Sequence, residues 1–231
     1  MTQHLRQRWE GLWHSLGVTN GLSAPVFTRL TARYRETHRA YHALDHVAAC
    51  LAEFDAVRAL AHNAAAVEIA IWFHDAIYDP HRSDNEEQSA ALANMELQHL
   101  VTSRALRDTV SALVRATTHR AAVADPDQQL IVDADLSGLG QGWSVVEASS
   151  RNIRCEYAFV PEDDYVNHRR SLLQSFLRRP FIYHGSHFRG RYEQRARANI
   201  HRELGCLREL AHLPQTRPQN EPRSPRSRSA S

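Results

Sequence analysis

Apolar residues along the chain recur at three- and four-residue steps, the spacing of one face of an α-helix. Trp9, Leu12, Trp13 and Leu16 form such a stripe over residues 6–16. After a break at 17–25 the pattern resumes over 26–36 through Phe27, Leu30 and Tyr34, and again through Leu44, Val47, Leu51, Phe54 and Val57. Residues 65–78 are almost wholly apolar, which predicts a buried central helix. Asp84 with Glu87 three residues later reads as a capping box opening a helix that runs to about Leu100. Ser103 opens another helix, and Asp125-Pro126-Asp127 opens one that reaches Leu136 or beyond, ahead of Gly138, Gly140 and Gly142. Helices are predicted over 144–157, 162–177 and 191–211, so the fold class expected is all-α.

Composition supports that class. Nine Gly and nine Pro in 231 residues are few for a β-rich chain, and the length suits one well-buried domain over 1–213. Residues 214–231 are Pro, Ser and Arg with almost no apolar content, and a disordered tail is expected there. The net charge is +2, but the tail carries four arginines against one glutamate, so the body is close to neutral and gives no electrostatic case for nucleic-acid binding. All 28 basic residues are arginine, from which no function is drawn. Cys50, Cys155 and Cys206 are far apart and form no CxxC pair, so neither a disulfide framework nor a thiolate zinc site is expected. Residues 1–16 mix Arg, Gln, Glu and Trp unlike a signal peptide, and no apolar run approaches the roughly 20 residues that span a bilayer. A cytoplasmic protein that does not enter membranes is expected.

The chemistry concentrates at three places. His42 and His46 are four apart, which on a helix puts both on one face and suits a metal ligand beside an acid–base group. His74 and Asp75 are adjacent inside the apolar stretch 65–78, where an ionised carboxylate needs compensation. A divalent cation that takes imidazole and carboxylate together would supply it, and a carboxylate capping a neighbouring helix is the alternative. Asp133 and Asp135 lie in another apolar run; two apart on a helix, they point in nearly opposite directions, so at most one is a ligand and the other meets solvent, an Arg or a helix end.

In this order, His, then His-Asp, then a distant Asp, the chain resembles the HD-domain metal-dependent phosphohydrolases. The phrases Phe73-His74-Asp75-Ala76-Ile77-Tyr78-Asp79, Asp84-Asn85-Glu86-Glu87-Gln88-Ser89-Ala90, Asp133-Ala134-Asp135-Leu136 and Arg197-Ala198-Asn199 are similar to a bacterial group of predicted members. The resemblance implies a single HD-type helical bundle with His46, His74, Asp75 and Asp135 as metal ligands, and Asp133 as the runner-up for the last place. It implies a divalent ion (Mn, Co, Mg, Fe, Ni or Zn). It also implies hydrolysis of a small phosphomonoester or phosphodiester substrate, such as a nucleotide, by metal-activated water. The stretch from Tyr41-His42 to His46 is also similar to cyclic-nucleotide phosphodiesterases, in which the first His protonates the leaving oxygen. That makes His42 a candidate acid, although Ala43 stands where those enzymes have Asn, and the HD resemblance makes Asp75 a candidate catalytic residue as well as a ligand. His119 lies between Asp75 and Asp135, where binuclear members carry extra histidines, and fits a second metal, a phosphate contact or an exposed helix end. Arg154, Arg169, Arg170, Tyr183 and Arg197 are candidate substrate contacts, and Glu86 could orient water. Two rivals are an HD-fold di-iron oxygenase similar to myo-inositol oxygenase, which needs about six ligands where five positions are plausible, and a non-catalytic metal- or nucleotide-binding signalling module.

Overall fold

The computed structural model describes residues 2–19, 21–100, 103–119 and 123–211; the expected tail, 214–231, lies outside the described residues. Among them the chain forms α-helices and two short 3-10 turns, with no strand. The helices are α1 (Thr2–Ser15), α2 (Ser23–Arg33), α3 (Leu44–Asp55), α4 (Ala64–Phe73), α5 (Asn85–Leu100), α6 (Arg104–Ala116), α7 (Pro126–Leu136), α8 (Trp143–Glu156), α9 (Glu162–Leu177) and α10 (Ser186–Ala211).

The apolar stretch read as central is central. Every residue of α4 from Ala66 to Phe73 is buried, and α4 packs against α3, α5, α6 and α7. An all-round apolar helix has no face that water stabilises, so the amphipathic helices must surround it. Trp9 of α1 meets Trp13 and Trp72 edge-on, with ring centroids 5.3 and 5.4 Å apart, and Phe27 of α2 closes the same cluster. One hydrophobic core extends from Leu5 in α1 to Leu207 in α10.

Polar contacts fix the helix ends. Asn63 caps α4 by accepting the Ala66 N–H, and Asp127 in the first turn of α7 accepts the N–H groups of His62 and Asn63, so the starts of α4 and α7 are tied together. Asp125 caps α7 by accepting the Gln128 N–H, with Pro126 next, the arrangement expected from Asp-Pro-Asp. Gly140 lies so close to α10 that a Cβ there would come within 2.5 Å of Tyr192 Cβ, so no larger residue fits without a shift of backbone.

Several boundaries differ from those read in the sequence. Helix α4 stops at Phe73, not at Tyr78. The apolar pattern continues because Ala76 and Tyr78 are also buried, but Arg39 takes the carbonyls of Asp75 and Ala76 into its guanidinium, and this chain segment turns instead of winding on. Helix α3 begins at Leu44, so His42 precedes it in a turn, the Ala43 N–H bonding to the Tyr41 carbonyl at 2.7 Å. The capping box at Asp84 does not form: its carboxylate binds Arg82 and Gln88, and Glu87 pairs with Arg115. Helix α10 starts at Ser186, five residues ahead of the expected place.

Candidate metal centre

Three segments converge beneath α4's C-terminal end. His46 comes from the first turn of α3, His74 and Asp75 from the turn that follows α4, and Asp135 from the last turn of α7. The Nε2 atoms of His46 and His74 are 3.2 Å apart. His46 Nε2 lies 3.0 Å from Asp135 Oδ1 and 3.7 Å from Asp75 Oδ2, and His74 Nε2 lies 3.0 Å from Asp75 Oδ2 and 3.7 Å from Asp135 Oδ1. Donors held at about 2.1 Å from one ion are about 3.0 Å apart in an octahedron and about 3.4 Å apart in a tetrahedron. The His–His and His–carboxylate separations span those values, so these side chains could share a divalent ion.

The donor set carries the right protonation. His74 Nδ1 lies 2.8 Å from the Ile71 carbonyl, which can only accept, so Nδ1 holds the hydrogen and Nε2 presents a lone pair in the neutral ring. Without an ion, burial opposes charge on His74, but the Asp75 carboxylate and then Asp135 outweigh it and raise its pKa to about 9. Burial likewise works against ionised Asp75, yet His74 holds it well below the usual carboxylate range. Asp135 is held low against burial by its bonds to His119 and His46. A proton on His74 occupies the place that a cation would take.

Cys50 was not anticipated. One turn along α3 from His46, its Sγ lies 3.7 Å from His46 Nε2, and His46, Cys50, His74 and Asp135 have ligand atoms all within 4.8 Å of one another, a cluster that can hold a metal ion. Burial, followed by the Asp135 and Asp75 carboxylates, pushes the thiol's pKa well up. The i, i+4 spacing from His46 was its signal in the sequence; the absence of a second nearby Cys obscured it.

The clamp around the centre was not anticipated either. Arg39, buried between Tyr34 and Tyr78, donates to the carbonyls of His42, Asp75 and Ala76 and pairs with Glu36. It thereby locks the approach to α3 against the His74-Asp75 turn. Glu156, the last residue of α8, accepts the consecutive N–H groups of Ala40, Tyr41 and His42 at 2.7–2.9 Å, the Tyr78 hydroxyl at 3.0 Å, and His42 Nδ1 at 2.7 Å. Although burial opposes it, the bond from His42 lowers its pKa to about 2. An ionised carboxylate only accepts, so His42 Nδ1 carries a hydrogen and Nε2 is left for exchange. The His42 and Tyr78 rings stack at 4.1 Å. His42 therefore reaches the centre, its ring centroid 6.1 Å from that of His46, but by a loop and not by a shared helical face.

No family model, curated protein or solved structure matches the chain. The site's reading rests on its own geometry.

The remaining candidates divide sharply. His119 lies three residues beyond α6 at φ +55°, a left-handed backbone that disfavours a side chain, and its Nε2 is 2.8 Å from Asp135 Oδ2. Its Nδ1 is buried without a partner among the described residues. A cavity of about 1030 Å³ opens over the centre, bordered by His42, Asp75, His119 and Asp135, with Glu86 and Arg169 also on its wall. Arg154, Arg170, Tyr183 and Arg197, expected at the substrate, do not line it. Arg154 is held by Glu162 and the carbonyls of Tyr157 and Val160. Tyr183 is buried and donates to the Leu136 carbonyl, which anchors the end of α7 beside Asp135. Arg197 pairs with Glu193 and donates to the carbonyls of Leu177, Arg179 and Pro180. Arg170 is half-buried on α9. Asp133, the runner-up ligand, is buried and accepts the His184 and Gly185 N–H groups just ahead of α10, a helix end being one of the three partners expected for the aspartate that is not a ligand.

Proposed function

We propose that this protein is a metal-dependent phosphohydrolase with an HD-type centre, and that it hydrolyses a phosphate ester. The observation that carries the reading is the meeting of His46, His74, Asp75 and Asp135, with donor separations of 3.0–3.7 Å, at the floor of a cavity large enough for an organic substrate. His46, His74, Asp75 and Asp135 would hold the ion, with the buried Cys50 thiol beside His46. When bound, a divalent ion supplies Lewis-acid activation of water and of a phosphoryl oxygen.

The chain's own residues supply the rest. Asp75 and Asp135 face the cavity while the two imidazoles lie deeper, so ligands are buried on one side and substrate arrives on the other. Glu156 fixes the tautomer and direction of His42, which faces the same cavity and is placed to give a proton to the leaving oxygen. His119 holds the outer oxygen of Asp135 and so orients its inner oxygen toward His46. The strained backbone at His119 fits such a role, since left-handed residues other than glycine concentrate where position matters more than local stability.

The test is metal content of the purified chain together with phosphate release from p-nitrophenyl phosphate, bis-p-nitrophenyl phosphate and a nucleotide panel, with Mn²⁺, Co²⁺, Mg²⁺, Fe²⁺, Ni²⁺ or Zn²⁺ added. The reading expects turnover that a chelator removes and metal restores. Ferrous-dependent oxygen uptake without phosphate release would instead favour an oxygenase, and bound metal with neither activity a binding module.

A further inference from the structure

The cavity over the centre is larger than a phosphoryl group needs, and its two sides differ. At about 1030 Å³ it reaches the upper end of the roughly 300–1,000 Å³ typical of sites that enclose organic ligands. Its apolar lining comes from α8 and α9, where Val146, Ile153, Leu172, Leu173 and Phe176 alternate with polar residues such as Ser149 and His168. Leu172 is 46% exposed, an apolar side chain kept at the cavity and not withdrawn into the core.

Arginines also line this cavity, and they are not equivalent. Arg82 is paired with Asp84 and Arg169 with Glu203. Arg179 has no carboxylate partner among the described residues. It donates Nη2 to the His119 carbonyl at 2.8 Å and lies over the Phe176 ring at 4.7 Å. Its backbone carbonyl is held by Arg197 Nη2 at 2.8 Å, so the residue is held at its main chain and at Nη2 while the guanidinium's other N–H donors stay uncommitted. Through His119 it stands one residue from Asp135.

We propose that Arg179 is the anion clamp of this site and that the substrate is a monophosphate ester of an apolar alcohol of at least aromatic-ring size, lying against the α8–α9 wall. The inference rests on the phosphohydrolase reading for the fate of the ester, but the binding it describes does not need turnover. One guanidinium without a carboxylate partner matches one phosphoryl group, since the planar fork gives two N–H bonds to two oxygens of one anion. A di- or triphosphate would bring further charge to a cavity whose other arginines, Arg82 and Arg169, are already paired with carboxylates. Arg197, anticipated as a substrate contact, acts one step back by holding the Arg179 main chain.

The experiment uses two non-hydrolysable probes, methylphosphonate and benzylphosphonate, titrated calorimetrically into the full chain and into R179Q and R179K, with metal content measured on each. The expected result is that benzylphosphonate binds the unaltered chain about tenfold more tightly than methylphosphonate. R179Q should weaken both probes about tenfold or more with unchanged metal content, and R179K should keep the charge but lose several-fold for want of the fork. Equal affinity for the two probes, or variants that bind like the unaltered chain, overturns the proposal. Should R179Q fail to fold, the two-probe ratio and R179K decide the matter. Phosphate-ester turnover without Arg179-dependent binding removes this inference alone, whereas Arg179-dependent binding with no turnover removes the hydrolase reading alone.

Discussion

Nδ1 of His42 lies 2.7 Å from Oε2 of Glu156, a carboxylate with no exposed side-chain surface that also receives three consecutive backbone N–H groups. The pair joins the far end of α8 to the loop that leads into α3. It ties the catalytic candidate to a stability determinant, because the same carboxylate orients the imidazole and holds the loop.

The Glu156 carboxyl titrates near 2 in the folded chain against an ordinary 4.5. A depressed folded pKa means stability that is present above 4.5 and lost as pH falls toward 2. The difference corresponds to on the order of 3 kcal/mol. Urea unfolding of the unaltered chain should therefore show stability falling by roughly that amount across this window. Glu156→Gln should be less stable at pH 7 by a comparable amount and show a shallower decline in acid. Parallel acid profiles for the two proteins would show that Glu156 does not carry this term.

Under the proposed function His42 and His46 have separate tasks. His46→Ala removes a ligand and should lower bound metal and abolish turnover together. His42→Ala should leave metal content near that of the unaltered chain and cost roughly 10²–10⁴-fold in rate, the contribution of a general acid. The deficit should shrink for p-nitrophenyl esters, whose leaving group needs little protonation. Metal loss in His42→Ala would make His42 a ligand and merge the two roles.

Metal uptake should release a proton. The carboxylates hold His74 protonated up to about pH 9, and a ligand imidazole must be neutral. Below that pH each unit of increase should improve apparent metal affinity about tenfold. Calorimetry in buffers of different ionisation enthalpy counts the proton directly. Affinity that is flat between pH 6 and 8 contradicts the placement of the ion at His74.

His119 should matter more to the metal than to the fold. Asparagine tolerates the left-handed backbone but is too short to reach Asp135 as the imidazole does. His119→Asn is expected to shift stability by no more than about 1 kcal/mol. Metal affinity should fall about 10–100-fold, the usual cost of losing a partner that orients a ligand. A large stability loss with unchanged affinity would assign His119 to the fold alone.

Much of this was legible in the pattern of residues. The burial of α4 followed from its composition, and the Asp125 cap from Asp-Pro-Asp. The separation of Asp133 from Asp135 followed from helical geometry, which sends neighbours two apart to opposite sides. What escaped was long-range. Glu156 lies 114 residues from His42, and nothing local marks it as the carboxylate beneath that ring. Arg39 looks like any surface arginine in sequence, yet its guanidinium is buried on three carbonyls, two of them in the turn that follows α4 and carries Asp75. Residue type alone does not distinguish Arg197, tied to Glu193 and three carbonyls, from Arg179, which has no acid partner among the described residues.

The most direct test of the central claim is anomalous diffraction from crystals of the Mn²⁺-loaded chain, collected at the metal's absorption edge. The account predicts one dominant peak about 2.0–2.3 Å from Nε2 of His46, Nε2 of His74 and carboxylate oxygens of Asp75 and Asp135, at the floor of the cavity. A peak elsewhere, or stoichiometric metal absent from this position in a chain whose fold is otherwise intact, would contradict it.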